Sequence, residues 1–425
     1  NKYIQNVNLD ELAQVASSKL NEAQKHIKEN CELLKDKIRE DLKNEEEIFQ
    51  FATFLIQHCY LVAVSTDDEA SAFKVFSVMN CRGLDLTNAD RIKPEVIGAI
   101  SLDEQQYYTE KWDTLEATVT REKFDDIFAF IRMIYAKTKP KMNILDEFRD
   151  AVLKKYEDKT VFMDKVLEPY AQAYMILTQK NYKSERDAEK INNYLWWLNK
   201  IDDSDWIPTA MEFMCRYENN SEFVLWFFRK LECLAAYLYI TAKSVNKRIE
   251  RYRPILEEME ANQNEQIKSI ELSEDEKKEF KDVLNGEIYN KLTSKRRNYL
   301  ILRLNSFVSD TENQWIDTNI LTIEHVLPQT LPQNSKWEKD WQDEEQRAYW
   351  LNRIANLVPL TRYKNSEAQN YDFDDKKIKY FTGKNGTSSF PLTTQVLNES
   401  EWTPETVEKR QKNLVQVLSK KWELE

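Results

Sequence analysis

At 425 residues the chain is too long for one hydrophobic core of ordinary size, and at roughly 150 residues per domain it should divide into two or three units. Its 41% hydrophobic and 32% charged residues exclude a disordered tail and fit a folded protein with extensive solvated helix surface. A net charge of −12 excludes coating of nucleic acid through bulk electrostatics, though not a local basic face on one domain.

Five glycines and ten prolines are few for a chain of this length. Sheets and tight hairpins consume such residues, so a mainly α architecture is expected. The five cysteines, Cys31, Cys59, Cys81, Cys215 and Cys233, are odd in number and form no C-x-x-C pair, so neither a disulfide framework nor a thiolate zinc site is indicated. A reducing, cytoplasmic setting fits best. The chain opens on "NKYIQNVNLDEL", without methionine and without the apolar segment of a signal peptide, which suggests a fragment whose upstream part is missing.

Residues 1 to about 103 are expected to be helices joined by short turns. Within "SAFKVFSVMNCRGLDLTNADRIKPEV", Phe73, Phe76 and Met79 recur at helical spacing and Gly83 supplies a left-handed stop. Thr87 should cap the next helix, Asp90 falls in its first turn, and Pro94 is expected to end or kink it. Residues 104–290 are helical almost throughout, as a scaffold or spacer. "SEDEKKEFKDVL" opens with a capping box, Ser273 with Glu276. The run "FVLWFFRKLECLAAYLYI" carries Arg229, Lys230 and Glu232, so a buried helix is the cheaper arrangement than a membrane span.

Residues 291–425 have a different texture. The acid excess fades from about Arg296 onward, which makes this the better place to look for DNA contact. Two short β-leaning runs, "LTIEHVL" and "IANLVPLT", flank "WEKDWQDEEQRAYWLNRI", which should be helical. "FDDKKIKYF" reads as a short helix. Thr403 as N-cap and Pro404 at the first helical position begin a long helix to about Trp422. "FTGKNGTSS" lacks the glycine spacing of a P-loop and is expected to be a surface loop.

Taken alone, Glu324-His325 fits a hydrogen-bonded structural histidine better than a catalyst. Its company changes the balance: Asn356 on the second run and Asn365 nine residues later. Hydrolysis of a phosphodiester needs a base to activate water, a cation to stabilise the developing charge, and a group that holds the base in its productive tautomer. A neutral His325 suits the first, Asn356 is available for the last, and the oxygens of Glu324 and Asn365 suit Mg²⁺ or Mn²⁺. Adjacent residues on a regular strand face opposite ways, so Glu324 and His325 converge only if the strand end bends near Pro328.

These motifs resemble an HNH nuclease of the ββα-metal fold: "EHVLPQ" is similar to the "DHIVPQ"-type strand of the HNH domain in RNA-guided CRISPR effectors. More closely, "LTIEHVLPQ", "IANLVPLTRYKNSEAQNYDFDDKK" and "SFPLTTQVLNESEWTPETVEKR" resemble the DUF1524 domain that forms the C-terminal half of GmrSD-type modification-dependent restriction endonucleases. "AFKVFSVMNCRGLDLTNADRIKP" resembles the late part of DUF262, the NTPase-like half that precedes it.

The resemblance implies a C-terminal ββα-metal nuclease domain with His325 as general base, Asn356 orienting it, and Glu324 and Asn365 as metal ligands. Arg362, Asn370, Lys376 and Lys377 become candidate DNA-phosphate contacts. Asn80, Arg82 and Asp90 become candidate remnants of a nucleotide site, although a helix stop and cap with a surface arginine already account for the local pattern. The DGQQR motif of DUF262 and any P-loop are absent, so a nucleoside triphosphate is expected only for the full-length protein. Glu324 stands where Asp is common, Ala355 where DUF1524 often has Gly, and Pro359 should keep the second strand short or at an edge.

The implied function is a Mg²⁺- or Mn²⁺-dependent endonuclease acting on foreign, base-modified DNA in phage defence. No membrane partner is expected, and a homo-oligomer is compatible with the pattern. The rival is a catalytically idle DNA-binding or regulatory module that relays nucleotide state. Metal-dependent turnover discriminates the two.

Overall fold

A computed structural model of the chain describes residues 9–16, 20, 22–60, 87–261, 266–309, 321–361, 370–382 and 390–425. The expected helix over Phe73, Phe76 and Met79, its Gly83 stop, and Cys81, Asn80, Arg82, Arg362 and Asn365 lie outside the described residues, as does most of the "FTGKNGTSS" segment. The described chain is mainly helical, with one two-stranded sheet among the described residues.

Two compact units divide it, residues 1–128 with 156–163, and residues 129–155 with 164–425. These limits differ from boundaries at 103 and 290, because the helical middle from residue 164 shares one unit with the C-terminal region.

In the first unit Thr87 caps the Asn88–Gly98 helix through a full capping box, its hydroxyl taking the Asp90 N–H at 3.2 Å while the Asp90 carboxylate takes the Thr87 N–H at 2.9 Å. The helix continues through Pro94 to Gly98 rather than ending there. Proline removes one backbone bond and crowds the preceding turn, and the capping box together with burial of Ala89, Ile92 and Val96 offsets that loss. Trp112, Phe124 and Phe128 form the aromatic centre of this unit, with ring centroids 5.4 to 5.6 Å apart.

The second unit is built around the Ser221–Ile240 helix, fourteen of whose 20 residues are buried. Glu232 on that helix is 1% exposed and pairs with Arg303 of the Ser294–Phe307 helix at 3.1 Å. Tyr299 Oη donates to the same carboxylate at 2.8 Å and Trp422 Nε1 at 3.0 Å. A carboxylate inside an apolar helix survives only when paired and hydrogen-bonded. That requirement ties the aromatic helix to the chain's closing turn. No described helix is long and apolar enough to cross a membrane. The capping box of Ser273 and Glu276 forms as expected, and Cys31, Cys59, Cys215 and Cys233 are free thiols.

The sheet pairs β1 (Leu321–His325) antiparallel to β2 (Leu357–Thr361), with His325 opposite Leu357 and Ile323 opposite Pro359. In a two-stranded sheet both strands are edges, so Pro359 is tolerated within the pairing. The segment between the strands forms two helices, Lys336–Asp340 and Glu344–Leu351. Phe373–Thr382, Pro391–Leu397 and the closing helix Pro404–Lys421 follow, the last capped by Thr403. Trp337, Trp341, Trp402, Phe373, Val358 and Leu327 pack into one core cluster beneath the hairpin.

Candidate functional site

Asn356 is not on β2 but closes the short 3₁₀ turn Ile354–Asn356 just before it. Its side chain is fully buried and its polar atoms are saturated. Oδ1 accepts from the Leu327 N–H at 2.7 Å and from Trp402 Nε1 at 3.1 Å, while Nδ2 donates to the carbonyls of Leu327 at 3.1 Å and Leu351 at 2.9 Å. Its own carbonyl accepts from the Val326 N–H at 2.9 Å, prolonging the ladder past His325. The expectation that Asn356 orients the imidazole is therefore corrected. An amide has two donor hydrogens and one acceptor oxygen, and here all are occupied, two bonds bracing Leu327 where the chain leaves β1 and two reaching Leu351 and Trp402. The closing helix holds the preceding residue in the same way: Gln411 Oε1 accepts from the Ala355 N–H at 3.0 Å, and Arg410 Nε donates to the Ala355 carbonyl at 3.1 Å.

The regular pleat sends Glu324 and His325 to different partners, as alternation on a strand requires. His325 is 6% exposed. Its Nε2 lies 3.2 Å from Asn352 Oδ1, and its ring packs edge-on against Tyr289 with centroids 4.2 Å apart. Burial pulls the imidazole down to about 4, with Asn352 opposing the shift and the charges of Lys376 and Arg297 adding to it. His325 is thus neutral at pH 7, the state a general base needs.

Glu324 meets Lys376, whose Nζ sits 2.7 Å from Oε1 and 2.7 Å from the His325 carbonyl. Burial pushes the Glu324 carboxyl up and the Lys376 ammonium down, and each is opposed by the other's charge. The resemblance makes Lys376 a candidate phosphate contact, with a solvated helix face as the alternative. Its side chain is instead wholly buried, with its charge spent inside the site. The helix start at Phe373 rotates position 376 inward beneath β1, with Phe373 itself in the core.

Lys377 is engaged on the same helix, with Nζ 3.0 Å from Asp374 and 3.2 Å from the Glu399 carbonyl. Asn370 lies exposed in a turn ahead of that helix. Asp90 does not act as a free carboxylate. It completes the Thr87 cap and pairs with Arg121 at 2.7 Å, and despite burial these bonds hold its carboxyl below the usual range. That is the helix-cap reading of the residue.

A divalent cation needs several oxygen ligands converging on one point. Beside His325, the Glu324 carboxylate is already neutralised by an ammonium, and the Asn352 amide oxygen is taken up by the imidazole. No cluster of three His, Cys, Asp or Glu side chains able to hold a metal occurs among the described residues. The described donor set therefore does not by itself fit Mg²⁺ or Mn²⁺.

Sequence reasoning missed Asn352 and Tyr289. Asn352 stands four residues before Asn356 in "LNRIAN" and looks like an ordinary helix-terminal asparagine, which it also is, since it is the C-cap of Glu344–Leu351. Tyr289 precedes the hairpin by more than thirty residues and carries no local signal.

The described chain is thus mainly helical and sets a buried histidine at the end of a short antiparallel hairpin. Residues 274–417, about a third of the chain, match the family model of the C-terminal domain of GmrSD restriction endonucleases. The match spans the hairpin, Asn352, Lys376 and most of the closing helix. No curated protein matches the chain.

Proposed function

We propose that the protein is a DNA endonuclease of the GmrSD restriction type, hydrolysing phosphodiester bonds with His325 as general base, in defence against foreign, base-modified DNA in the cytoplasm. The observation that supports it most is a buried, neutral imidazole, gripped at one ring nitrogen, within the segment that matches the restriction-endonuclease domain.

In this mechanism the ring nitrogen of His325 that does not face Asn352 takes a proton from water as the water oxygen attacks phosphorus; the bond from phosphorus to the leaving sugar oxygen breaks, and that oxygen takes a proton from solvent water. The anionic phosphodiester raises the affinity of the imidazole for that proton, opposing the pull of Lys376 and Arg297. Asn356, Arg410 and Gln411 keep the peptide around the base from shifting, since small misplacement of a catalytic group is costly. Mg²⁺ or Mn²⁺ dependence, with Asn365 as a ligand, belongs to the proposal on the strength of the HNH resemblance alone.

The test is nicking and linearisation of plasmid DNA, unmodified and carrying modified cytosines, by wild type and His325→Ala in Mg²⁺, in Mn²⁺ and in EDTA. Cutting by wild type and its loss in the variant supports the assignment. Equal cutting by both removes His325 as the base. The pairing of Glu324 with Lys376 favours a second reading, an idle DNA reader. Salt-dependent DNA binding without turnover in any metal would establish that reading instead.

A further inference from the structure

We propose that Asn352 is a positioning residue that holds His325 as the Nε2–H tautomer, leaving Nδ1 as the atom that accepts the proton. The inference rests on the reading of His325 as base and assigns that base its reacting atom and its support.

Three features carry it. Asn352 Oδ1, an atom that can only accept, lies 3.2 Å from His325 Nε2, so a neutral imidazole satisfies the contact by carrying its single N–H there. Asn352 is itself immobilised: its N–H donates to the Trp350 carbonyl at its helix end, and its carbonyl accepts from the Tyr289 N–H at 3.0 Å. The residue that makes this hydrogen bond, Tyr289, sets its ring edge-on to the imidazole. Tyr289 is fixed in turn by Arg297, whose Nη1 donates to its carbonyl at 2.6 Å and whose guanidinium lies 3.9 Å from its ring centroid. The imidazole is thus clamped by an amide at one nitrogen and an aromatic edge against the ring, neither of them from the two strands. Asn356, by contrast, has no polar atom left for this task.

The experiment is a long-range ¹H–¹⁵N spectrum of the full chain with ¹⁵N-labelled histidine at pH 7.5, the His325 signals being assigned by their loss in His325→Gln. The expected wild-type pattern is a protonated, pyrrole-like Nε2 and a pyridine-like Nδ1. Asn352→Ala should give averaged shifts, and Asn352→Asp, which keeps an oxygen acceptor, should restore the wild-type pattern. In DNA cutting, Asn352→Ala should lower kcat by roughly 10- to 100-fold, less than the 10²- to 10⁴-fold a general base supplies, with KM within about twofold. Asn352→Asp should recover most of the rate.

A wild-type Nδ1–H pattern, or a tautomer unchanged in Asn352→Ala, overturns the proposal. If Asn352→Ala does not fold, Asn352→Ser replaces it, and the wild-type spectrum alone still decides the tautomer. Full cutting by His325→Ala would defeat the base assignment while leaving the tautomer result intact, so the two failures are distinguishable.

Discussion

Lys376 Nζ sits 2.7 Å from Glu324 Oε1 and 2.7 Å from the His325 carbonyl, so one wholly buried ammonium ties the last two residues of β1 to the helix that follows the hairpin. The two partners lie fifty-two residues apart in the chain. Each charge is tolerable because of the other.

Removing one partner should therefore cost more than removing both. Lys376→Met is expected to destabilise the second unit by about 3–5 kcal/mol, with Glu324→Gln/Lys376→Met recovering a substantial part. Chemical denaturation followed by fluorescence of Trp337, Trp341 and Trp402, which surround the hairpin core, measures this. Additive single-variant losses would show that the pair is not coupled.

Asn356 should behave as a structural residue first. Asn356→Ala orphans the Leu327 N–H, the Trp402 indole N–H and two carbonyls, for a loss of about 2–4 kcal/mol. Asn356→Asp keeps the acceptor but aims a carboxylate oxygen at the carbonyls of Leu327 and Leu351, and should not rescue stability. A variant as stable as wild type in thermal unfolding would contradict this arrangement.

The depressed basicity of His325 has a defined sign. Its affinity for a proton is lower in the folded state, about 4 against an ordinary 6.5, so its stabilising contribution is complete above pH 6.5 and is lost as pH falls toward 4. The full span amounts to about 3 kcal/mol, and His325→Gln should remove that part of the slope. Identical stability–pH profiles for wild type and variant between pH 4 and 7 would mean that the ring is not held neutral.

The buried carboxylate of Glu232 supplies a further test. Arg303→Met strands it with only the Tyr299 hydroxyl and the Trp422 indole as donors, and should cost several kcal/mol. Arg303→Lys should recover little, because Arg303 reaches both carboxylate oxygens, at 3.1 and 3.4 Å, and also stacks on Phe307 at 4.0 Å. Thermal unfolding of the two variants decides it.

Much of this molecule was legible before folding was considered, and what was legible is local. Thr87 with Asp90, Ser273 with Glu276, and Thr403 ahead of Pro404 mark helix starts because a cap is completed within three or four residues. The two β-leaning runs pair as strands, because β-propensity and bounding turn residues are written into the runs themselves. Pro94 shows the limit of such rules, since burial of Ala89, Ile92 and Val96 carries the helix past a residue that would end it in isolation.

By itself, then, the sequence determined a mainly helical protein with a hairpin near its C-terminal end and His325 as the residue to watch. Only the tertiary structure decided what that histidine touches. Asn352 comes to it from twenty-seven residues away and Tyr289 from a separate element. Lys376 turns inward to Glu324 rather than outward to solvent, and Asn356 is consumed by the peptide after β1. The reason is physical: capping and pairing depend on neighbours along the chain, whereas the partner of a buried polar atom is whichever group the packed core brings within about 3 Å.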